Sequence, residues 1–594
     1  MKTMIAALLL LPAQLQAAPA RSTAPAAAAA VSTSPAAAFA ALAEDYWEAS
    51  MRLAPLWATF VNHPRYHDRL EDVSPAGRQK EVAELEGLKR RLQALDPARL
   101  PLPDRVSWDI LRWQLDMRRE WFAYKFYQWD VDHMNGAQAW IPSVVEVAQP
   151  MATEADAEAL LARMRAMPRY FADHVANLRE GLAEGRSAAK VPVDRTIRQL
   201  AEILAAPPGD TPYAHAAGRL PKELSAKYLP LVLEAVSSQV YAAYRDYLKF
   251  LKEEYLSHTR TERVGLLYLS GGNDAYRYQI RYHTTLDKSP EELHQLGLDE
   301  LKAIHADMAA IASRLGHRGD LPSFFDRIRA DPKNFFTTRE DVLKSAEALV
   351  ARTKEKLPRY FGALPKTPLI VKQVEEYKEK NEAAAMYYPP PDDLSRPGIY
   401  YINTYEPKTR PRFSMTSLAA HEGVPGHHLQ IALAIEKREL PAFRRHSDFT
   451  SFVEGWALYS ERLADEMGLY QDDLSRVGML SDQALRASRL VVDTGLHAMG
   501  WSRQQAIDYM KANTPMSEEE ITAEVDRYVI WPGQALAYKV GQREIMELRK
   551  ESSAALGEKF DLKAFHDKVL ENGAVPLPVL RSIILGPVAG LSSN

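Results

Sequence analysis

SPEELHQLGLDELKAIHADMAAIASRL, residues Ser289–Leu315, sets the fold class of this chain. Ser289 is a helix-capping type, Pro290 suits the first helical position, and Glu291 and Glu292 favour the positive end of the helix dipole. Beyond them Leu301, Ile304, Met308 and Ile311 recur at three- and four-residue spacing, the pattern of one buried helical face. The same spacing runs through Gln79–Leu95, Ala155–Glu184 and Leu229–Lys252. From about Phe39 onward the chain therefore reads as mainly α-helical. No signature of roughly 30–45 residues recurs, which argues against a solenoid. One region departs from helix. Pro368–Val374, Ala384–Tyr388 and Gly398–Thr404 are β-rich and are separated by Pro389-Pro390-Pro391 and Arg396-Pro397. They predict a small antiparallel sheet just before the most informative helix.

Composition narrows the function. The chain has 594 residues, 46% hydrophobic and 26% charged, enough for one large or several ordinary domains. Its 74 basic and 78 acidic residues leave a net charge of −4. A nucleic-acid binder working through phosphates carries a basic surplus, so that class is not expected. There is no cysteine. Disulfides, thiolate nucleophiles, Cys-type zinc sites and iron–sulfur clusters are excluded, and a metal would need His, Asp or Glu.

The N-terminus reads as an address. Lys2 precedes the short apolar run Met4–Leu11, and small residues follow around Ala17, Ala18 and Ala20, the order of a secretory signal peptide over residues 1–18. Residues 19–38 are Ala/Pro/Ser-rich and read as a flexible linker, and 39–594 as one large domain. With no lipid-accepting cysteine after the apolar run and no long apolar segment later, the expectation is a periplasmic or secreted protein without a stable membrane anchor.

The chemistry is concentrated in SMTSLAAHEGVPGHHLQ, Ser414–Gln430. Neutral imidazoles with a carboxylate make a tetrahedral zinc site that keeps one position for water. The usual helical motif places two histidines at i and i+4, but four residues after His421 stands Pro425, which cannot be a ligand. On a regular helix His428 would share the face of His421 yet lie about 10 Å further along the axis, too far for one metal. The Pro425-Gly426 step must therefore break the helix so that His427 or His428 folds back. Downstream, Glu454 lies among Phe452, Val453, Trp456 and Leu458, where a carboxylate is costly to bury unless paired or metal-bound. Beside the histidine cluster it reads as the third ligand rather than as a partner of Arg462.

HEGVPGHHLQ, EGWALYSERL, DTGLHAMGW and PGQALAYKVG, with RYHTTLDKSPEELHQLG and RPGIYYINTY, together resemble the bacterial domain-of-unknown-function 885 family over most of the chain. That family is regarded as a set of zinc metallopeptidases similar to the helical gluzincins, the carboxypeptidase Taq, thimet oligopeptidase and angiotensin-converting enzyme groups. The resemblance implies a large two-lobed helical zincin-like (gluzincin) domain, its small antiparallel β-sheet beside the active-site cleft and its catalytic motifs within 398–545. It implies Zn²⁺ held by His421, His427 and Glu454, with Glu422 as general base. The two residues added to the relatives' His-Glu-x-x-His pattern leave His428 as the alternate second ligand. Tyr538 is the expected transition-state tyrosine.

Other polar groups are candidates. Arg489, Asp493 and His497 fall at i, i+4 and i+8 on one helical face. Arg489 would bind a peptide carboxylate and His497 would donate to the oxyanion, or all three form a structural network. Arg527 is a second carboxylate-binding candidate. Tyr401 and Asn403, with Tyr400, lie on a β segment whose free edge would pair with an extended peptide. The expected function is zinc-dependent hydrolysis of peptide bonds. The alternatives are hydrolysis of a non-peptide amide or ester, or a non-catalytic zinc-holding scaffold.

Overall fold

A computed structural model of the chain describes residues 34–374, 379 and 383–586. The expected signal peptide, residues 1–18, lies outside the described residues. Of the expected linker, residues 19–38, only 34–38 are among the described residues. Ser34 accepts a hydrogen bond from the Ala37 amide and caps helix α1 (Pro35–Leu53), which absorbs residues 35–38.

The fold is mainly helical, as the spacing predicts. Ala155–Glu184 forms α2 (Glu154–Ala183), and the opening stretch forms α3 (Pro290–Arg314). At α3 the Ser289 hydroxyl accepts from the Glu292 amide while the Glu292 carboxylate accepts from the Ser289 amide, a capping box. Leu301, Ile304, Met308 and Ile311 are buried. Leu229–Lys252 is not one continuous α-helix: a π turn at Val236–Val240 joins two α segments.

The sheet follows α4 (Arg339–Lys356) and has three short strands: β1 (Leu369–Gln373), β2 (Ala385–Tyr388) and β3 (Gly398–Ile402). Its order is β1-β3-β2. β3 runs antiparallel to β2, Ala385 opposite Ile402, but parallel to β1, Leu369 opposite Gly398. The sheet is therefore mixed rather than antiparallel. The loop 389–397 after β2 reverses the chain, and β3 then enters the gap beside β1 in the same direction. Strand patterning marks each strand's residues but not its neighbours. All five residues of β3 are buried, as suits a strand flanked on both sides.

Five helices then build the site: α5 (Met415–Glu422), α6 (His427–Glu436), α7 (Thr450–Glu466), α8 (Asp473–His497) and α9 (Glu518–Ile530), completed by α10 (Ala537–Leu556). The core falls into two large apolar clusters. One centres on residues 131–255, and the other gathers α1, α3, the sheet and the helices around α7. α7 packs along α10 where Gly455 meets Gly541: a Cβ on Gly455 would lie 2.5 Å from the Gly541 backbone. Only glycine permits backbones this close. The contact sets the side chains of Glu454 and Tyr538 toward one cleft.

Candidate metal centre and its cleft

The helix break sits where Pro425 requires it. α5 ends at Glu422, residues 423–426 turn, and α6 begins at His427. The Val424–Pro425 peptide is cis. Gly426 packs against the end of α5 so closely that a Cβ would lie 2.0 Å from the His421 carbonyl oxygen. The Trp456 indole, from α7, donates to the Pro425 carbonyl at 2.8 Å and fixes the turn. The imidazoles of His421 and His427 are thereby brought to 4.8 Å, centroid to centroid, and nearly perpendicular.

Glu454 completes the cluster from α7. Its Oε2 lies 3.3 Å from His421 Nε2 and 3.5 Å from His427 Nε2. One donor atom from each of the three residues lies within 4.8 Å of the other two. Among the described residues, Glu454 Oε2 is buried with no hydrogen-bond partner. A buried carboxylate oxygen left unsatisfied is costly. Two imidazole nitrogens and a carboxylate oxygen, converging on one point, suit zinc in both donor type and number.

The surroundings reinforce this. Glu461, two turns along α7 from Glu454, accepts from His421 Nδ1 at 2.8 Å, which leaves Nε2 facing Glu454. Burial pulls the His421 pKa down, but Glu454 and Glu461 outweigh it and raise it to about 10. Glu454 is held well below the ordinary carboxylate range by the two histidines, against the upward push of burial. The site thus favours positive charge among its three donors. The Gln430 amide nitrogen sits between His427 Nδ1, at 3.1 Å, and the Val453 carbonyl, at 2.7 Å, and steadies that ring.

His428 points elsewhere. Its Nδ1 pairs with the Tyr387 hydroxyl at 3.0 Å and its Nε2 with the Thr367 carbonyl at 3.2 Å, tying α6 to the sheet region. Burial lowers its pKa to about 4. Both nitrogens are engaged, so the geometry groups His427, not His428, with His421 and Glu454.

The three donors line a cleft of about 630 Å³ together with Glu422, Arg489, Arg527 and Tyr538. Glu422, half-buried at the end of α5, follows His421 directly. The Tyr538 ring lies nearly parallel to that of His421, centroids 6.4 Å apart, and its hydroxyl accepts from Arg527 Nη2 at 3.0 Å. Arg489 Nη2 reaches Glu524 at 2.7 Å, and its guanidinium carbon lies 4.5 Å from the Tyr538 ring centre.

Three expected site residues are not brought to these donors in the expected way. His497 is fully buried: its Nδ1 accepts from the Leu266 amide and its Nε2 donates to the Tyr528 carbonyl. It has no free nitrogen for an oxyanion, and burial lowers its pKa to about 4. Asp493 on the same face holds Tyr276 and the Gly533 amide, so only the Arg489 end of the stripe reaches the cleft. Tyr401 is on the central strand, packed with Val374 and Ile399 and edge-on to Tyr388, away from the cleft lining. Asn403 does line the cleft, but its side chain donates to the Glu379 and Ala383 carbonyls and accepts from the Tyr405 amide. The strand edge beside the cleft belongs to β2, not β3.

Sequence reasoning passed over Glu461 and Glu524. Glu461 carried a signal: seven residues from Glu454 on one helix is two turns on the same face. Glu524 carried none, because its partner Arg489 comes from another helix.

Residues 55–584 match the model of a family described as "Bacterial protein of unknown function (DUF885)", and the chain belongs to that family. No curated protein matches it. Among solved structures it is similar to a "putative lipoprotein" from Colwellia psychrerythraea, at 29% identity and a TM-score of 0.87, covering 93% of this chain and 99% of that one. It is also similar in fold to a "putative lipoprotein of unknown function" from Shewanella oneidensis, at 20% identity and a TM-score of 0.69, covering 92% and 99%. These neighbours overturn the expectation of an unanchored periplasmic or secreted protein. That expectation, drawn from the N-terminal pattern, the missing cysteine and the lack of a later long apolar segment, is withdrawn. No helix among the described residues is long and apolar enough to cross a membrane.

Proposed function

We propose that the protein is a zinc-dependent peptidase of helical gluzincin type, its cleft between two lobes of one large domain. The observation that carries this reading is Glu454 Oε2, buried and unpartnered between His421 Nε2 and His427 Nε2. His421, His427 and Glu454 would hold the zinc, which when bound supplies Lewis acidity toward a water and a peptide carbonyl. Three protein ligands leave the fourth position open, as catalysis needs and a structural site does not.

The chain's own groups then divide the work. Glu422 takes the proton of the attacking water and delivers it to the leaving amine. The Tyr538 hydroxyl, supported by Arg527, donates to the oxygen that gains charge. Glu461 holds the His421 tautomer through Nδ1. Hydrolysis of a peptide mixture, followed by mass spectrometry with chelator and then with added zinc, tests the reading. Cleavage should stop with chelator and return with zinc; cleavage indifferent to both would refute it.

A further inference from the structure

Arg489 and Arg527 share one carboxylate, Glu524, at 2.7 Å and 3.5 Å. Arg489 is 97% buried by residue, at 3% exposure, and lines the cleft. Its Nη1 has no hydrogen-bond partner among the described residues, and neither does Arg527 Nε. The neighbouring Arg486 also lines the cleft; it pairs with Asp482 at 2.8 Å, on its own helix, and its Nε likewise has no hydrogen-bond partner among the described residues. A buried guanidinium N–H without an acceptor costs stability unless an anion from outside completes it. The two arginines flank the Tyr538 ring, with guanidinium carbons 4.5 Å and 5.9 Å from its centre.

We infer that Arg489, with Arg527, binds the free C-terminal carboxylate of the substrate, so that the enzyme trims peptides from that end. The inference rests on the peptidase reading and adds a substrate class to it. Its reach follows from geometry. From the His421 ring to the Tyr538 ring is 6.4 Å and from there to the Arg489 guanidinium carbon 4.5 Å. That path spans at most about three residues of extended peptide, at ~3.4 Å each. The released fragment is therefore one to three residues long.

The test separates this inference from the peptidase reading by using binding as well as turnover. Calorimetric titration of the zinc-loaded Glu422→Gln protein with tri-alanine and with tri-alaninamide should give binding about 10- to 100-fold tighter for the free acid. The added substitution Arg489→Met should abolish that preference. Equal binding of acid and amide, or a preference that survives in Arg489→Met, overturns the inference. With wild type and longer peptides, release of one to three C-terminal residues, insensitive to N-terminal acetylation, supports it. Internal cleavage of C-terminally amidated peptides at equal rate overturns it while leaving the peptidase reading intact. A free-acid preference with no hydrolysis refutes the peptidase reading, and the trimming with it, and leaves only the carboxylate-binding role of Arg489.

Discussion

Neighbouring turns of one helix make opposite use of buried polar side chains. At the C-terminal end of α8, His497 and Asp493 are fully buried, and each is satisfied by backbone or tyrosine partners. Four residues before Asp493, Arg489 is just as buried and keeps an unpartnered nitrogen, and across the cleft Glu454 keeps an unpartnered oxygen. Satisfied buried groups stabilise a fold; unsatisfied ones persist where something else completes them.

The sharpest way to break this comparison is at Glu422. Glu422→Gln should lower turnover by about 10²- to 10⁴-fold, the range of a lost general base, with zinc content unchanged. Steady-state hydrolysis and metal analysis on the same preparation check both halves. Next comes Glu461, which touches only His421 among the three donors. Glu461→Gln should weaken zinc affinity by about 10- to 100-fold, measured by competition with a chromophoric chelator.

His428→Ala addresses the satisfied side. It should retain zinc and lose about 1–3 kcal/mol of stability in urea unfolding, because Tyr387 and Thr367 each lose a partner. Zinc loss there with stability intact would invert the assignment of the two adjacent histidines.

A further effect is in acid. Burial lowers the pKa of both His497 and His566 to about 4. The unfolded chain protonates them near their ordinary 6.5, so it binds more protons than the folded chain between those values. Their contribution is complete above pH 6.5 and is lost as pH falls toward 4, on the order of 1–3 kcal/mol for each. Urea unfolding at pH 7 and pH 4.5 should show the loss, and His497→Gln should shrink it.

Much of this was legible in the sequence, for physical reasons. The helical period marked α2 and α3 nearly to the residue, because one buried face repeats along each. Pro425 forced the break between His421 and His427, since a proline there cannot continue the helix. The choice between His427 and His428 was not legible: it depends on Tyr387 and Thr367, distant in the chain. The helical stripe of Arg489, Asp493 and His497 misled for a related reason. Spacing shows that side chains share a face, but not that the face changes from cleft to core along its length. The sheet's mixed order and the central place of Tyr401 depend on which strand enters the gap, which no local pattern encodes.

X-ray absorption at the zinc edge on the purified, zinc-loaded chain tests the central claim most directly. We predict about one zinc per chain, with two imidazole nitrogens and carboxylate or water oxygen at about 2.0–2.2 Å, and loss of that signature in Glu454→Ala. A spectrum without imidazole neighbours, or one unchanged by Glu454→Ala, would contradict it.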